Sequence, residues 1–381
     1  MRVVYLRNGV ERKIKNFYPW IFRDEVKEIV GEEGYIANVF SRKGDFLGKG
    51  FFSKSHITVR MLTSKDEEID EEFFLRRIRK ARLKRNFPDD QSFRLVHAEG
   101  DFLPGVIVDK YKDGFVVQFR TKGAEALKEK IVNAILGTTN ASFIYERSDF
   151  ETSSREDLER RKGPLYGKTP EVMTIEENSL KFIVDIAHGQ KTGFFFDQRK
   201  NRKLVRTLPG KSALDLYTYT GGFALNLAAS GFDVTGVDKS EDDIEIAREN
   251  ARINNLKVEF VSADVFEFLR RISRKFDVVI ADPPSLIKKK SEKKKAISIL
   301  SQLTNLVKDV LNIGGIFVIC SCAYNIDMHA LIESMRRGIE GEGLIWNILN
   351  ITYQDTDHPY IAQIPETLYL KCIWARLEEG W

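Results

Sequence analysis

The hydrophobic pattern changes twice along this chain. From residue 1 to 69 apolar residues fall in short runs split by glycine turns: "RVVYL", "YIANVF", "FLGKGFFS" and "HITVRML". Short β-branched and aromatic runs between turn residues predict strands, and their density predicts a small β-barrel. From 70 to 187 the pattern mixes. Phe74, Ile78 and Ala81 recur at helical spacing inside a charged segment, since residues three and four apart share one helix face. "RLVHAEGDFLPGVIVDKYKDGFVVQF" then reads as three strands, "TKGAEALKEKIVNAIL" as a helix, and "ASFIYERSD" and "SLKFIVDIAH" as strands. This middle segment is predicted to be an α+β domain with antiparallel strands.

From 188 to 381 short apolar strands alternate with helices. "SALDLY", "DVTGVD", "VEFVSAD", "FDVVIADPP" and "IFVICSC" are the strands, and "GFALNLAAS" and "SEDDIEIARENARINN" are helices, the second with Ser240 as N-cap. Parallel neighbours need crossover connections, so this alternation predicts an α/β, doubly wound, Rossmann-like sheet. "GLIWNILNITYQ" and "TLYLKCIWARL" close the chain as an antiparallel pair at one edge.

Composition narrows the class. The 381 residues are 43% hydrophobic, enough for two or three packed cores and too many for one. No run approaches the roughly 18 apolar residues that span a bilayer, so the reading is cytoplasmic, with no membrane. Three cysteines make no disulfide framework, none stands in a metal-type pattern with histidine, and no metal is expected. The 60 Lys+Arg nearly balance 56 Asp+Glu, so the placement of the basic residues says more than their sum.

In a doubly wound sheet, ligands lie beyond the carboxyl ends of the strands. Those ends are chemically distinctive here. Strand one closes in "DLYTYTGGF", strand two in Asp238, strand three in Asp264 and strand four in "ADPPS". An acidic residue closing strand two can accept both hydroxyls of a ribose, in NAD enzymes and in S-adenosylmethionine methyltransferases alike. A dinucleotide site needs G-x-G-x-x-G, so that a pyrophosphate rests on helix amides. This chain has Asp215 there instead, a carboxylate that repels a pyrophosphate and suits the cationic aminopropyl end of S-adenosylmethionine. Asp264 fits an adenine amino group. The competing structural reading makes Gly221 and Gly222 a plain tight turn, and Asp238 and Asp264 helix caps.

"HGQKTGFFFDQRKNR", "DLYTYTGGFALNLA", "GVDKSEDDIEIARENARINNL", "ADPPS", "CSCAYN" and "DHPYIAQIPETLYLK" resemble the class I S-adenosylmethionine methyltransferases that make 5-methylcytosine in 23S rRNA. "YPWIFRDEV" is similar to that family's PUA domain and "EGDFLPGVIVDKY" to its middle domain, so the likeness covers essentially the whole chain. It implies a PUA-like RNA-binding domain over 1–69, a middle domain over 70–187 and the methyltransferase domain over 188–381. It also implies that Phe194, Asp197 and Arg199 line the cofactor pocket. Asp215, Tyr217 and Gly221 would hold the methionine end, Asp238 the ribose and Asp264 the adenine. Cys322 would be the nucleophile, and Asp282 would orient the target base while bordering the cofactor. The expected partner is 23S rRNA or a large-subunit precursor, with a homodimer as a further expectation. Where relatives often carry Ser-Cys-Ser, this chain has Ser321-Cys322-Ala323.

The chemistry asks for such a cysteine. Carbon 5 of cytosine is a poor nucleophile until a thiolate adds to carbon 6. Small apolar strands also favour cysteine as filler. Position separates the two readings: Cys322 falls at the strand end where ligands bind, Cys320 one pair deeper, and Cys372 within an apolar run. Two basic stretches stand out. "RRIRKARLKR" at 76–85 reads as a solvated face or an RNA contact, whereas Lys288, Lys289, Lys290, Lys293 and Lys294 follow "DPPS" directly and read as phosphate contacts. Two alternatives stay open. An amino-group methyltransferase would carry an aromatic after "PP", where this chain has Ser285, and an RNA-binding assembly factor need not keep the acidic strand ends.

Overall fold

A computed structural model describes residues 2–31, 34–150, 156, 158–285 and 290–381. The chain divides into two units: Met1–Ile175 with Val184–Phe196 and Thr356–Thr367, and Glu176–Ile183 with Asp197–Asp355 and Leu368–Trp381.

The first unit opens with strands β1 (Arg2–Leu6), β2 (Trp20–Phe22), β3 (Val26–Val30), β4 (Ile36–Phe40), β5 (Phe46–Phe52) and β6 (Ile57–Thr63), and helix α1 (Glu11–Lys15). They form one sheet in the order β2-β6-β5-β4-β1-β3. The apolar pattern predicts β1, β4, β5 and β6. It misses β2 and β3, because β2 has three residues and four of the five in β3 face solvent. Val4, Leu6, Ile21, Val39 and Val59 fill its core.

Helix α2 (Glu71–Leu83) follows, with the Asp70 side chain accepting from Phe73 N, and it buries Phe73, Phe74, Ile78 and Ala81. This is the stripe that the spacing predicts. Strands β7 (Phe93–His97), β8 (Val106–Tyr111), β9 (Gly114–Phe119), β10 (Phe143–Ser148) and β11 (Arg161–Gly167) make a sheet ordered β11-β10-β9-β8-β7. The expectation of antiparallel strands holds for three of its four pairs, but β9 and β10 run parallel. The reason is the helical crossover between them, α3 (Lys122–Ala126) and α4 (Lys128–Leu136), which returns the chain to the starting end. Barrel and middle segment share a core, in which Phe51 and Leu62 pack among Phe73, Phe93 and Phe115.

A two-stranded ribbon, β12 (Val172–Glu177) and β13 (Leu180–Asp185), leads on. The second unit then has helices α5 (Arg199–Leu204), α6 (Gly222–Ala228), α7 (Glu241–Ile253), α8 (Val265–Arg271), α9 (Lys293–Val310) and α10 (Met328–Gly338). Its strands are β14 (Ser212–Leu216), β15 (Asp233–Asp238), β16 (Glu259–Ser262), β17 (Phe276–Ala281), β18 (Leu311–Ser321), β19 (Leu344–Tyr353) and β20 (Lys371–Glu379). The sheet order is β16-β15-β14-β17-β18-β20-β19. β14 to β18 are parallel, and β20 runs antiparallel between β18 and β19, as the sequence predicts. Strand order reverses between β14 and β17, which opens a crevice at their carboxyl ends.

Candidate active site

β14 delivers Asp215 to that crevice. The residue is 1% exposed, and its Oδ2 accepts from Thr218 Oγ1 at 2.6 Å and Ala224 N at 2.9 Å. The carboxylate therefore ties the loop after β14 to the first turn of α6. Burial pushes Asp215 up to about 7, against those two hydrogen bonds and with help from the charges of Asp282 and Asp238.

The loop itself is strained. Tyr217 and Tyr219 take left-handed φ of 63° and 51°, and Gly221 takes 87°. Non-glycine residues in that region cost on the order of 1 kcal/mol or more each, and they persist where a loop is shaped to grip a ligand. At Gly221 a Cβ would add a 3.2 Å approach to Phe260 Cζ. Asp238 secures the far side, accepting from Tyr219 N at 3.0 Å and Ser240 N at 3.1 Å. Asn250, fully buried on α7, adds a brace: its amide donates to Thr220 O at 3.0 Å and accepts from Ile183 N at 2.7 Å.

Asp264 is exposed and caps α8, with Oδ1 accepting from Phe266 N and Glu267 N. Burial raises the Tyr217 hydroxyl pKa, and the charges of Asp264 and Asp238 add to it, which brings these three predicted residues together. Asp282 follows β17, half-buried, and its Oδ2 accepts from Gln198 Nε2 at 2.9 Å. Gln198 is 2% exposed, and its Oε1 accepts from Asn201 Nδ2 and from Cys372 Sγ. Next to it, Asp197 accepts from the Tyr369 hydroxyl at 2.7 Å, and Arg199 pairs with Glu177 at 3.4 Å and Asp355 at 3.5 Å. Phe194 belongs to the first unit, where it packs edge-to-face on Phe196.

The three thiols occupy different surroundings. Cys320 and Cys372 face each other across β18 and β20, both fully buried, and burial raises both pKa values. Cys322 lies one residue past the end of β18 and is half-buried. The departure at Ala323 leaves a 6% exposed methyl there, and the Ala323 carbonyl accepts from Lys371 Nζ at 2.9 Å.

Among the basic residues, Lys288 and Lys289 lie outside the described residues, and Lys290 begins a short turn, Lys290–Glu292. Lys293 pairs with Asp327 at 2.6 Å, and Lys294 is exposed at the start of α9. In the earlier stretch, Arg85 is buried in a bidentate pair with Asp101, Lys84 joins the same carboxylate, and Arg76 and Arg82 pair with Glu67 and Asp89. These four are structural cations. Tyr18 and Trp20, on the barrel, are half-buried and donate to Glu366 and Glu99.

This donor set fits S-adenosylmethionine, whose net charge is positive: carboxylates surround a glycine loop that lacks the G-x-G-x-x-G phosphate-binding pattern, and one of them, Asp238, closes β15. Gln198, Asn250 and Lys371 were not legible as site residues. Gln198 alone had a local signal, because it stands between Asp197 and Arg199 in the "TGFFFDQR" segment.

Residues 4–64 match the PUA-like domain family and residues 208–362 a methyltransferase domain family. The chain is 36% identical to ribosomal RNA large subunit methyltransferase I of Aliivibrio fischeri over 97% of both chains. It is 34% identical to the enzyme of the same name from Vibrio cholerae, again over 97% of both. A solved structure described as a SAM-dependent methyltransferase from Streptococcus mutans aligns over 99% of this chain and 100% of its own. The TM-score is 0.83 at 22% identity, a likeness of fold. Similarity of that extent along the whole length, from barrel to strand-end acidic site, makes this chain a member of the ribosomal RNA large subunit methyltransferase I family, S-adenosylmethionine-dependent methyltransferases with an amino-terminal PUA-like domain.

Proposed function

We propose that this protein methylates carbon 5 of a cytosine in 23S rRNA, or in a large-subunit precursor, with Cys322 as the covalent nucleophile. The observation that carries the reading is the position of Cys322. It is half-buried just beyond the carboxyl end of β18, neighbour to the β17 end that carries Asp282, whereas the other two thiols are sealed in the sheet.

When bound, S-adenosylmethionine supplies an electrophilic methyl on a sulfonium. Asp215, Tyr217, Gly221, Asp238 and Asp264 are the residues we assign to its binding, with Asp197 and Arg199 contributing from the segment before β14. Cys322 Sγ forms a bond to carbon 6 of the cytosine, which breaks the ring's delocalisation and makes carbon 5 nucleophilic. Asp282, oriented by Gln198, holds a proton at ring nitrogen 3 and so favours that addition. Once carbon 5 carries the methyl, loss of its proton to a base lets the Sγ–carbon 6 bond break and frees the thiolate.

The PUA-like barrel and the lysines after "DPPS", Lys288, Lys289, Lys290, Lys293 and Lys294, are assigned to RNA, which must present an unpaired or flipped base. Lysines in the first turn of α9 oppose the helix dipole, so helix stability does not account for them. The test is tritium transfer from labelled cofactor to deproteinised 23S rRNA, followed by mapping of 5-methylcytosine. Cys322→Ala is expected to abolish transfer and keep cofactor binding, while Cys320→Ala retains most of the activity. Wild-type transfer by Cys322→Ala would overturn the mechanism.

A further inference from the structure

β20 begins with a buried cation. Lys371 is 6% exposed and stands opposite Ser321, the last residue of β18, in antiparallel register. Its Nζ donates to the carbonyl of Ala323 at 2.9 Å, which fixes the ammonium against the chain on the far side of Cys322. The contact reaches over Cys322: Lys371 faces the residue before it and binds the residue after it. Among the described residues no carboxylate lies within ion-pair distance of this lysine.

A buried ammonium without a counter-ion is costly, and proteins keep such groups where another charge is to be stabilised. Burial is the largest influence on Lys371 and pushes it down to about 8; Cys322, Asp327 and Cys372, in that order, pull it back up. Of these three, Asp327 is committed to Lys293 and to the cap of α10, and Cys372 is fully buried against Cys320. Cys322 is the first of the three, and it lies just past the carboxyl end of β18.

We propose that Lys371 is the positioning residue that holds Cys322 as a thiolate, its ammonium supplying the positive charge and the thiolate serving as the missing counter-ion. A free thiol, with pKa near ~8.5, is only a few per cent ionised at neutral pH, so an adjacent fixed cation changes the reactive fraction directly. The proton balance is simple. When the amine is neutral, the proton leaving Sγ ends on Nζ; when it is already charged, the proton leaves to water. Either route ends in ammonium and thiolate. The inference deepens the reading of Cys322 as nucleophile and rests on it for its catalytic meaning, but the ion pair can be measured without any methyl transfer.

The experiment follows iodoacetamide alkylation of Cys322 against pH, read by mass spectrometry of its peptide, in wild type, Lys371→Met and Lys371→Arg. In wild type the midpoint is expected at least one unit below that of a free thiol. Lys371→Met should raise it by a unit or more, so that alkylation at pH 7 slows about tenfold, and Lys371→Arg should restore most of the rate. A purely structural clamp on the Ala323 carbonyl would leave the midpoint unmoved. A wild-type midpoint at or above ~8.5 overturns the proposal without recourse to any variant, so a poorly folded Lys371→Met does not rescue it. An equal midpoint in folded Lys371→Met overturns it as well. If Cys322→Ala still transfers methyl groups, the nucleophile reading falls, and the alkylation profile still decides the ion pair.

Discussion

Asp215 concentrates the electrostatics of the site in one residue. Its pKa is pushed up to about 7 by burial, so between about 4 and 7 the folded protein holds a proton there that the unfolded chain has lost. Stability from this residue is therefore present below the unfolded carboxyl pKa and is lost as pH rises through about 7. A cationic ligand runs the other way, since it favours the ionised carboxylate. S-adenosylmethionine affinity, measured by isothermal titration calorimetry, is expected to tighten from pH 6 to pH 8, and Asp215→Asn should flatten that dependence while removing the matching loss of stability in urea unfolding. An unchanged pH slope in Asp215→Asn would place the titration elsewhere. Asp215, Asp238, Asp264 and Asp282 were legible in the sequence as candidates because each sits next to the end of a strand whose apolar run announces it. Gln198 and Lys371 were not. Each reaches the site by one long-range hydrogen bond, Gln198 to Asp282 across 84 residues and Lys371 to Ala323 across 48, and no local pattern encodes such a pairing.

Helix α9 shows how an element can carry function against its own stability. Eighteen residues from Lys293 to Val310 bury Ala296, Leu300, Leu303, Thr304, Val307 and Val310, a stripe ample to hold the helix on the sheet. Its first turn bears Lys293, Lys294 and Lys295 where the dipole favours acids. Lys293 is offset by Asp327, whereas Lys294 and Lys295 are exposed. Replacing both with alanine is expected to weaken rRNA binding and to lower the slope of log affinity against log salt by roughly 1.4, the contribution of two phosphate contacts to a single strand. Filter-binding titrations over a salt series measure it, and an unchanged slope would return these lysines to the role of a solvated face. The melting temperature should hold or rise, because two charges opposed to the dipole are gone. At this scale the long apolar strands and amphipathic helices were readable. β11 and β12 were not, since most of their residues are exposed and β11 carries Gly163, Pro164 and Gly167, residues that read as turn.

The whole chain passes between its two units five times, at 175/176, 183/184, 196/197, 355/356 and 367/368. A change of hydrophobic pattern near residue 188 marks where alternating strands and helices begin, and it gives no sign that the unit holding the sheet starts earlier, at Glu176. The early piece is small, but Glu177, Leu180 and Phe182 in it are buried. Glu177, 5% exposed, accepts from Arg202 Nε at 2.6 Å and from a second guanidinium nitrogen at 2.8 Å, and it also pairs with Arg199. Arg202 in turn lies against Gly222 at the start of α6, its Cδ 3.0 Å from where a Cβ would stand. Ile183 N satisfies the buried Asn250 that braces Thr220 in the strained loop. Removing residues 176–183 thus strips a buried guanidinium of its carboxylate and a buried amide of its donor, both directly behind the strained loop after β14. Leaving one member of such a buried ion pair alone costs about 3–5 kcal/mol, a large share of the stability of a domain of this size. A fragment of residues 188–381 is therefore expected to be poorly folded and unable to bind S-adenosylmethionine, while one of residues 176–381 should recover cooperative unfolding by circular dichroism and measurable binding by calorimetry. In the full chain, Glu177→Ala should lower stability by a similar amount and weaken cofactor binding, although Glu177 is not assigned to touch the ligand, because the cation it anchors supports the turn that Gly221 and Gly222 make.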